Sequence, residues 1–307
     1  MEHTILGAGA IGGLVGTALA SLGNNVNLIV RKEKIASYPS ELILEKPSDT
    51  IRAAVDRHSE VFGATGARLI TELSKPTEVL WIATKTYQLE DALKLIKAEP
   101  RVIVPLLNGI DHIAVLRARY GQDGVIPATI AVEADRVADG HFVQRSPVRL
   151  NIAASGESLL SDTAQELRDL GFLCSFIANE QSLMWGKLCF LGPFALTTSA
   201  SGKNLGEIVA DPEWKATMYD AFAEAQAVAE GYGAVIDPAR VQAILDSSPP
   251  TMRSSMAKDL DAGRKLELDG IAGPVLRGGA QWEIEVPTTK RLVALIEERE
   301  RARTKES

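Results

Sequence analysis

The sequence predicts an α/β chain: a doubly wound, mostly parallel sheet first, then an all-helical part. Three observations predict it. A glycine-rich turn joins the first apolar run to the first helical pattern, in HTILGAGAIGGL at residues 3–14. Short apolar runs then alternate with helical stretches, as they do in βαβ units. From about Glu180 onward the period is almost entirely that of helices.

Each element follows in order. Thr4–Leu6 reads as a buried strand and Ala10–Leu22 as the helix after it. Val26–Val30, Leu42–Leu44, Glu78–Ala83, Val102–Pro105 and Gly124–Ala128 read as further strands, with Leu89–Ile96 and Asp111–Tyr120 as helices. Parallel order with right-handed crossovers is the default for such a chain. Arg136–Ile152 departs from it: ADGHF and then VRLNI suggest a β excursion around a glycine turn. Trp185–Thr197, Glu213–Tyr232, Pro238–Leu245, Ser254–Arg264, Leu266–Arg277 and Thr288–Arg303 read as helices. The division falls after residue 178, giving a sheet domain at 1–178 and a helical domain at 179–307.

The glycine turn points to a ligand. Gly7-Ala8-Gly9-Ala10-Ile11-Gly12 has the G-x-G-x-x-G register, follows a strand and opens a helix. The first glycine allows the tight turn, the second lets a pyrophosphate approach the backbone, and the third lets helix and strand pack. The positive end of the helix dipole then faces the phosphates. This is the Rossmann-type arrangement for a dinucleotide; the plain alternative is an ordinary tight turn. At the end of the second strand, where NAD sites carry an acid for the ribose 2′-hydroxyl, the chain has Arg31 and Lys32. A guanidinium can bind a 2′-phosphate by two hydrogen bonds, so NADP(H) is favoured over NAD(H), a solvated basic loop being the alternative. Lys85 and Asn108 follow the apolar runs VLWIAT and VIVPLL, at the edge where open α/β sheets bind ligands. An amide at Asn108 can donate and accept at once, although Asn-Gly is also a common turn.

Composition limits the alternatives. The chain has 307 residues, 46% of them hydrophobic, and a formal net charge of −7, which argues against a general nucleic-acid binder. No apolar run reaches membrane-spanning length, and the first strand begins almost at once, leaving no room for a signal peptide. Cys174 and Cys189 stand in apolar contexts and are expected to be buried thiols, which suits a cytoplasmic protein. His3, His58, His112 and His141 are scattered, so neither a metal site nor a histidine-based triad is expected.

The chain resembles the ketopantoate reductase (2-dehydropantoate 2-reductase) family over nearly its whole length. The resemblance rests on GAGAIGG at 7–13, TKTYQ at 84–88, LLNGI at 106–110, WGKL at 185–188, and SSMAKDL at 254–260 leading into LELDGIAGPVLR at 266–277. EVPTTKRL at 285–292 matches the family's closing helix. It implies a Rossmann domain, a helical domain for substrate and dimerisation, and NADPH-dependent reduction of a 2-oxo acid. It assigns Lys187 the general-acid role, consistent with a lysine set among Trp185, Leu188 and Phe190, whose apolar surroundings pull its pKa towards neutrality. It makes Glu267 the partner of that lysine and Ser255 the residue that binds the substrate carboxylate. It sets Asn108 between nicotinamide ribose and lysine, Lys85 near cofactor phosphate or substrate, and Ala134 against the cofactor.

Departures from the family matter as much. Leu191, Ala195, Leu205 and Met252 stand where the family has asparagines, Asn204 lying beside the third. A buried site that loses such partners rejects the old polar ligand, by roughly 1–3 kcal/mol for each group left unpaired. Arg253 and Glu133 are new charged candidates, and Arg253 could clamp the substrate carboxylate in place of the asparagines. Reduction of ketopantoate to pantoate in pantothenate biosynthesis therefore competes with reduction of a more apolar 2-oxo acid or ketone by the same lysine. A non-catalytic NADPH-binding protein and a β-hydroxyacid dehydrogenase fit less well. The amphipathic helices leave a monomer and a homodimer both open.

Overall fold

The computed structural model describes residues 1–56 and 66–306; His58 lies outside them. Two compact units emerge: Met1–Leu107 with His112–Ala178, and Asn108–Asp111 with Asn179–Ser307. The second unit thus takes four residues from the middle of the first stretch, which a single division after residue 178 does not foresee. Ile110 explains the transfer, because it packs with Trp185 and Val275 of the second unit.

Unit 1 runs β1 (Glu2–Leu6), α1 (Ala10–Ser21), β2 (Asn25–Ile29), β3 (Glu41–Glu45), β4 (Thr50–Asp56), β5 (Gly66–Ile70), β6 (Val79–Ile82), α2 (Leu89–Leu93) and β7 (Val102–Pro105). It continues through α3 (His112–Tyr120), β8 (Ala128–Ala131), β9 (Ala134–Ala138), β10 (His141–Gln144), β11 (Arg149–Ala153), α4 (Glu157–Asp169) and β12 (Leu173–Ile177). Among the described residues the larger sheet has the order β7-β6-β1-β2-β5-β4-β3-β10-β9. Its run from β7 to β4 is parallel, with β1 in the middle and buried along its length from His3 to Leu6. The parallel default fails beyond it: β3 runs antiparallel to β4, and β9 antiparallel to β10. A smaller sheet has the order β12-β11-β8.

Six elements of this unit differ from the expected ones. The strand expected at Gly124–Ala128 starts instead at Ala128, because Pro127 has no N–H for a ladder; only Val125 bridges to Ile103. The helix expected at Leu89–Ile96 stops at Leu93, since Leu95 accepts from the Leu73 N–H and Ile96 bridges to Leu73. β4, β5 and β12 were not foreseen. In β4 the buried set is Ile51, Ala53 and Val55, an alternation weakened by alanine on both faces. α4 was missed because only Leu160, Thr163, Ala164 and Leu167 mark its buried stripe.

Unit 2 is helical: α5 (Glu180–Ser201), α6 (Leu205–Ala210), α7 (Pro212–Gly231), α8 (Pro238–Ser247), α9 (Ser255–Asp261), α10 (Leu268–Gln281) and α11 (Pro287–Glu306). α5 is its axis. Asn179 caps it by accepting from the Ser182 N–H at 2.8 Å, and Gly202 ends it in the left-handed region. Its middle, from Leu188 to Leu196, is packed by α7, α10 and α11. The unforeseen α6 is opened by a capping box between Asn204 and Glu207.

Candidate active site

The chemistry-bearing cluster lies in unit 2. Lys187 projects from the second turn of α5, where Gly186 leaves that surface open and Trp185 and Leu188 are buried. Its Nζ donates to Asn108 Oδ1 at 3.0 Å. Asn108 Nδ2 donates in turn to Glu267 Oε2 at 3.3 Å. Glu267 occupies the N-cap position of α10 and is 5% exposed. The amide orientation follows from the network, with the carbonyl facing the ammonium and the NH₂ facing the carboxylate. Burial lowers the Lys187 pKa from 10.5 to about 8, and the Glu267 charge opposes the fall. Asn108 takes one of the three ammonium protons; no other protein acceptor meets them among the described residues. The arrangement is a buried ammonium whose pKa is drawn down towards neutrality, held by one amide that a buried carboxylate holds in turn.

The remaining candidates of this unit stand apart from that chain of hydrogen bonds. Ser254 caps α9, accepting from the Ala257 N–H at 3.0 Å and sharing a 2.8 Å hydrogen bond with Thr198. Ser255 is exposed in the first turn, with no hydrogen bond to Lys187, Asn108 or Glu267. Arg253 is not a free clamp: Asp261 at the end of α9 holds its guanidinium. Asn204 is consumed by its capping box and does not replace the asparagine lost at Leu205. Ala195 and Leu205 are fully within the core, and Leu191 and Met252 pack against it. A separate apolar cavity of about 330 Å³ is lined by Phe190, Phe194, Tyr219, Phe222 and Leu245 among others; Lys187, Asn108 and Glu267 are not part of it.

Apart from Asn108, the dinucleotide candidates lie in unit 1. β1, β2 and β6 end side by side, Leu6 pairing with both Ile29 and Ile82. Gly7 leaves β1 at φ 101°, a conformation side chains resist. A Cβ on Gly12 would lie 2.1 Å from the Gly7 carbonyl oxygen, so helix and turn meet backbone to backbone. A Cβ on Gly9 would meet nothing within 4 Å, and that open space above the N-terminus of α1 fits a pyrophosphate. Ala8, Ala10 and Ile11 are half-buried around it, and the first turn carries no acid. Arg31 is exposed just past β2, with Lys32 exposed beside it. Lys85 follows β6 and heads a short turn closed by Gln88, whose N–H donates to the Lys85 carbonyl at 2.9 Å. Ala134 opens β9 opposite Gln144.

Arg136 is a group that sequence reasoning missed. It lies two residues after Ala134 on β9 and donates to the Ala8 carbonyl at 3.5 Å, bringing a cation to the glycine turn. Strand periodicity was the available signal, since positions 134 and 136 share a face. Both cysteines are free and buried, and no helix of the described residues is long and apolar enough to cross a membrane.

Comparison with known proteins covers nearly the whole chain. The model of the family described as "Ketopantoate reductase PanE/ApbA" matches residues 3–157, and that of its C-terminal part matches 179–300. A 2-dehydropantoate 2-reductase of Caulobacter vibrioides is 26% identical over 95% of this chain and 97% of its own. An uncharacterized oxidoreductase of Bacillus subtilis, YkpB, is 24% identical over 97% and 98%. Among solved structures, a PanE/ApbA family ketopantoate reductase from Ralstonia eutropha superposes with a TM-score of 0.83 at 23% identity, over 99% of this chain and 100% of that one. A D-mandelate dehydrogenase with NADH and anilino(oxo)acetate gives 0.82 at 22% identity, over 98% and 99%.

Proposed function

This chain belongs to the ketopantoate reductase family, and on that premise we propose that it reduces a 2-oxo acid with an apolar side chain to the 2-hydroxy acid, with Lys187 as proton donor. As a member it is an NADP-dependent oxidoreductase. The glycine turn would hold NADPH, with Arg31 placed to meet its 2′-phosphate, and the cofactor would supply the hydride for the carbonyl carbon. Lys187 meets the carbonyl oxygen and gives it a proton as negative charge develops there. Asn108 fixes the donor from behind, and Glu267, reached through Asn108, favours the ammonium that must stand ready. The neutral amine left after transfer regains its proton from water. The hydrogen-bonded line Lys187–Asn108–Glu267, with ammonium protons left over for a substrate, is the observation that carries this reading.

Four side chains of the helical unit support an apolar substrate. Leu191, Ala195, Leu205 and Met252 contribute hydrocarbon where hydroxyl-binding amides would be expected. The polar alternative, reduction of ketopantoate to pantoate, is favoured by relatives described as 2-dehydropantoate 2-reductases. The apolar one is supported by the D-mandelate dehydrogenase, whose bound compound joins an aromatic ring to an oxoacetate. A panel of 2-oxo acids with NADPH, followed by cofactor absorbance, separates them. The expected result is kcat/KM at least tenfold higher for branched or aromatic 2-oxo acids than for ketopantoate, about the discrimination one unpaired buried group supplies. Preference for ketopantoate would overturn the assignment and leave the lysine chemistry intact.

A further inference from the structure

The segment Asn108–Asp111 has little structure of its own, yet it carries the amide that joins Lys187 to Glu267. Three contacts fasten it to the rest of unit 2. Gly109 adopts φ 79° and approaches α10 so closely that a Cβ there would lie 2.1 Å from the Gly270 carbonyl oxygen. Ile110 enters the apolar cluster of Trp185, Val228 and Val275. Asp111 pairs with the guanidinium of Arg277, whose other edge donates to Asp269 at 2.7 Å.

That guanidinium lies on a surface shaped for it. Asp269, Gly273 and Arg277 recur every four residues along one face of α10. A Cβ on Gly273 would fall 2.1 Å from Arg277 Nη2 and 2.7 Å from Asp269 Oδ1. Glycine therefore makes the slot in which Arg277 folds back along its own helix to reach Asp111. Both acids and the arginine are half-exposed or more, so the pairs themselves contribute little to global stability. Their geometry is another matter, because a misplacement of about 1 Å in a catalytic array can cost on the order of a hundredfold in rate.

We propose that Arg277 is a positioning residue: by clamping the Asn108–Asp111 segment to the helix that Glu267 caps, it holds Asn108 in register between Lys187 and Glu267. It acts through Asn108 and touches no substrate. The proposal rests on the reading of Lys187 as proton donor only for its effect on rate; the effect on Lys187 itself is independent of any substrate.

Two variants break the clamp by opposite means. Arg277→Gln removes the charge. Gly273→Ala keeps every charge, displaces the guanidinium with a methyl group, and favours the helix intrinsically. The first readout is the Lys187 titration in the unliganded enzyme, by NMR of ¹³C-labelled lysine. Asn108 Oδ1 stabilises the ammonium, and Glu267 is the charged group acting on it, so loosening Asn108 lowers the pKa. Both variants are expected to lower it by roughly 0.5–1 unit, and Asn108→Ala is expected to abolish any further effect of Arg277→Gln. The second readout is kcat, expected to fall about tenfold in both variants with NADPH affinity unchanged and Arg277→Lys restoring part of it. A Lys187 titration unchanged in both variants would overturn the clamp. A titration that moves while Lys187→Ala retains full turnover would instead overturn the donor assignment and leave the clamp standing.

Discussion

Lys187 shows how far single residues could be read. Its proposal as a donor depends on the WGKL context, and that of Glu267 on its distance from the SSM motif; both are local words in the sequence. Asn108 was legible as a strand-end amide. The Arg277–Asp111 pair was not, because its partners are 166 residues apart and nothing local marks either one. Arg253 has a partner that the motif did not mark either: Asp261, eight residues on, at the end of α9. At this scale two outcomes are expected. Lys187 titrates near 8 in the protein, so reduction falls off as pH rises through that value and the ammonium is lost. Oxidation of the 2-hydroxy acid rises through the same pH, because the neutral amine is then the base. Profiles of kcat in both directions check this; a limb near 10.5, where an unburied lysine titrates, would contradict it. Arg31→Ala is expected to raise the KM for NADPH roughly ten- to a hundredfold while barely changing that for NADH, the loss of charged hydrogen bonds to a 2′-phosphate. Equal losses for both cofactors would remove Arg31 from the phosphate site.

Elements were legible in proportion to their periodicity. β1, β2, β6 and β7 are buried almost throughout and were found to within a residue or two. β4 alternates on alanine and α4 is marked by a thin stripe, so tertiary packing rather than local pattern defines them. The caps of α6 and α9 use Asn204 and Ser254, and these helices start where their capping hydrogen bonds begin. β1 also carries an acid sensitivity. His3 is fully buried, and its Nδ1 accepts from Trp81 Nε1 at 3.2 Å. Burial holds its pKa at about 4, against 6.5 when exposed. The unfolded chain takes up a proton below 6.5 that the folded chain refuses until 4, so stability is lost as pH falls through that window. The loss amounts to about 3 kcal/mol. Urea unfolding from pH 7 to 4 is expected to show it, and His3→Asn to flatten it; an unchanged slope in the variant would place the sensitivity elsewhere.

At the scale of the whole molecule, the α/β first part and helical last part follow from where strand and helix periods change along the chain. The assignment of residues 108–111 to the helical unit does not, since it depends on Gly109 meeting Gly270 and Ile110 entering a distant cluster. Substrate identity was the least legible property for the same physical reason. Leu191 and Ala195 share a face of α5, but Leu205 begins α6 and Met252 precedes α9, so the four positions lie on separate elements.

The most direct test is turnover of Lys187→Ala with the best 2-oxo acid of the panel, with and without an added primary amine such as ethylamine. The account predicts a fall in kcat of roughly 10²–10⁴-fold at unchanged NADPH affinity, partly reversed by the free amine. Full turnover in the alanine variant would contradict it.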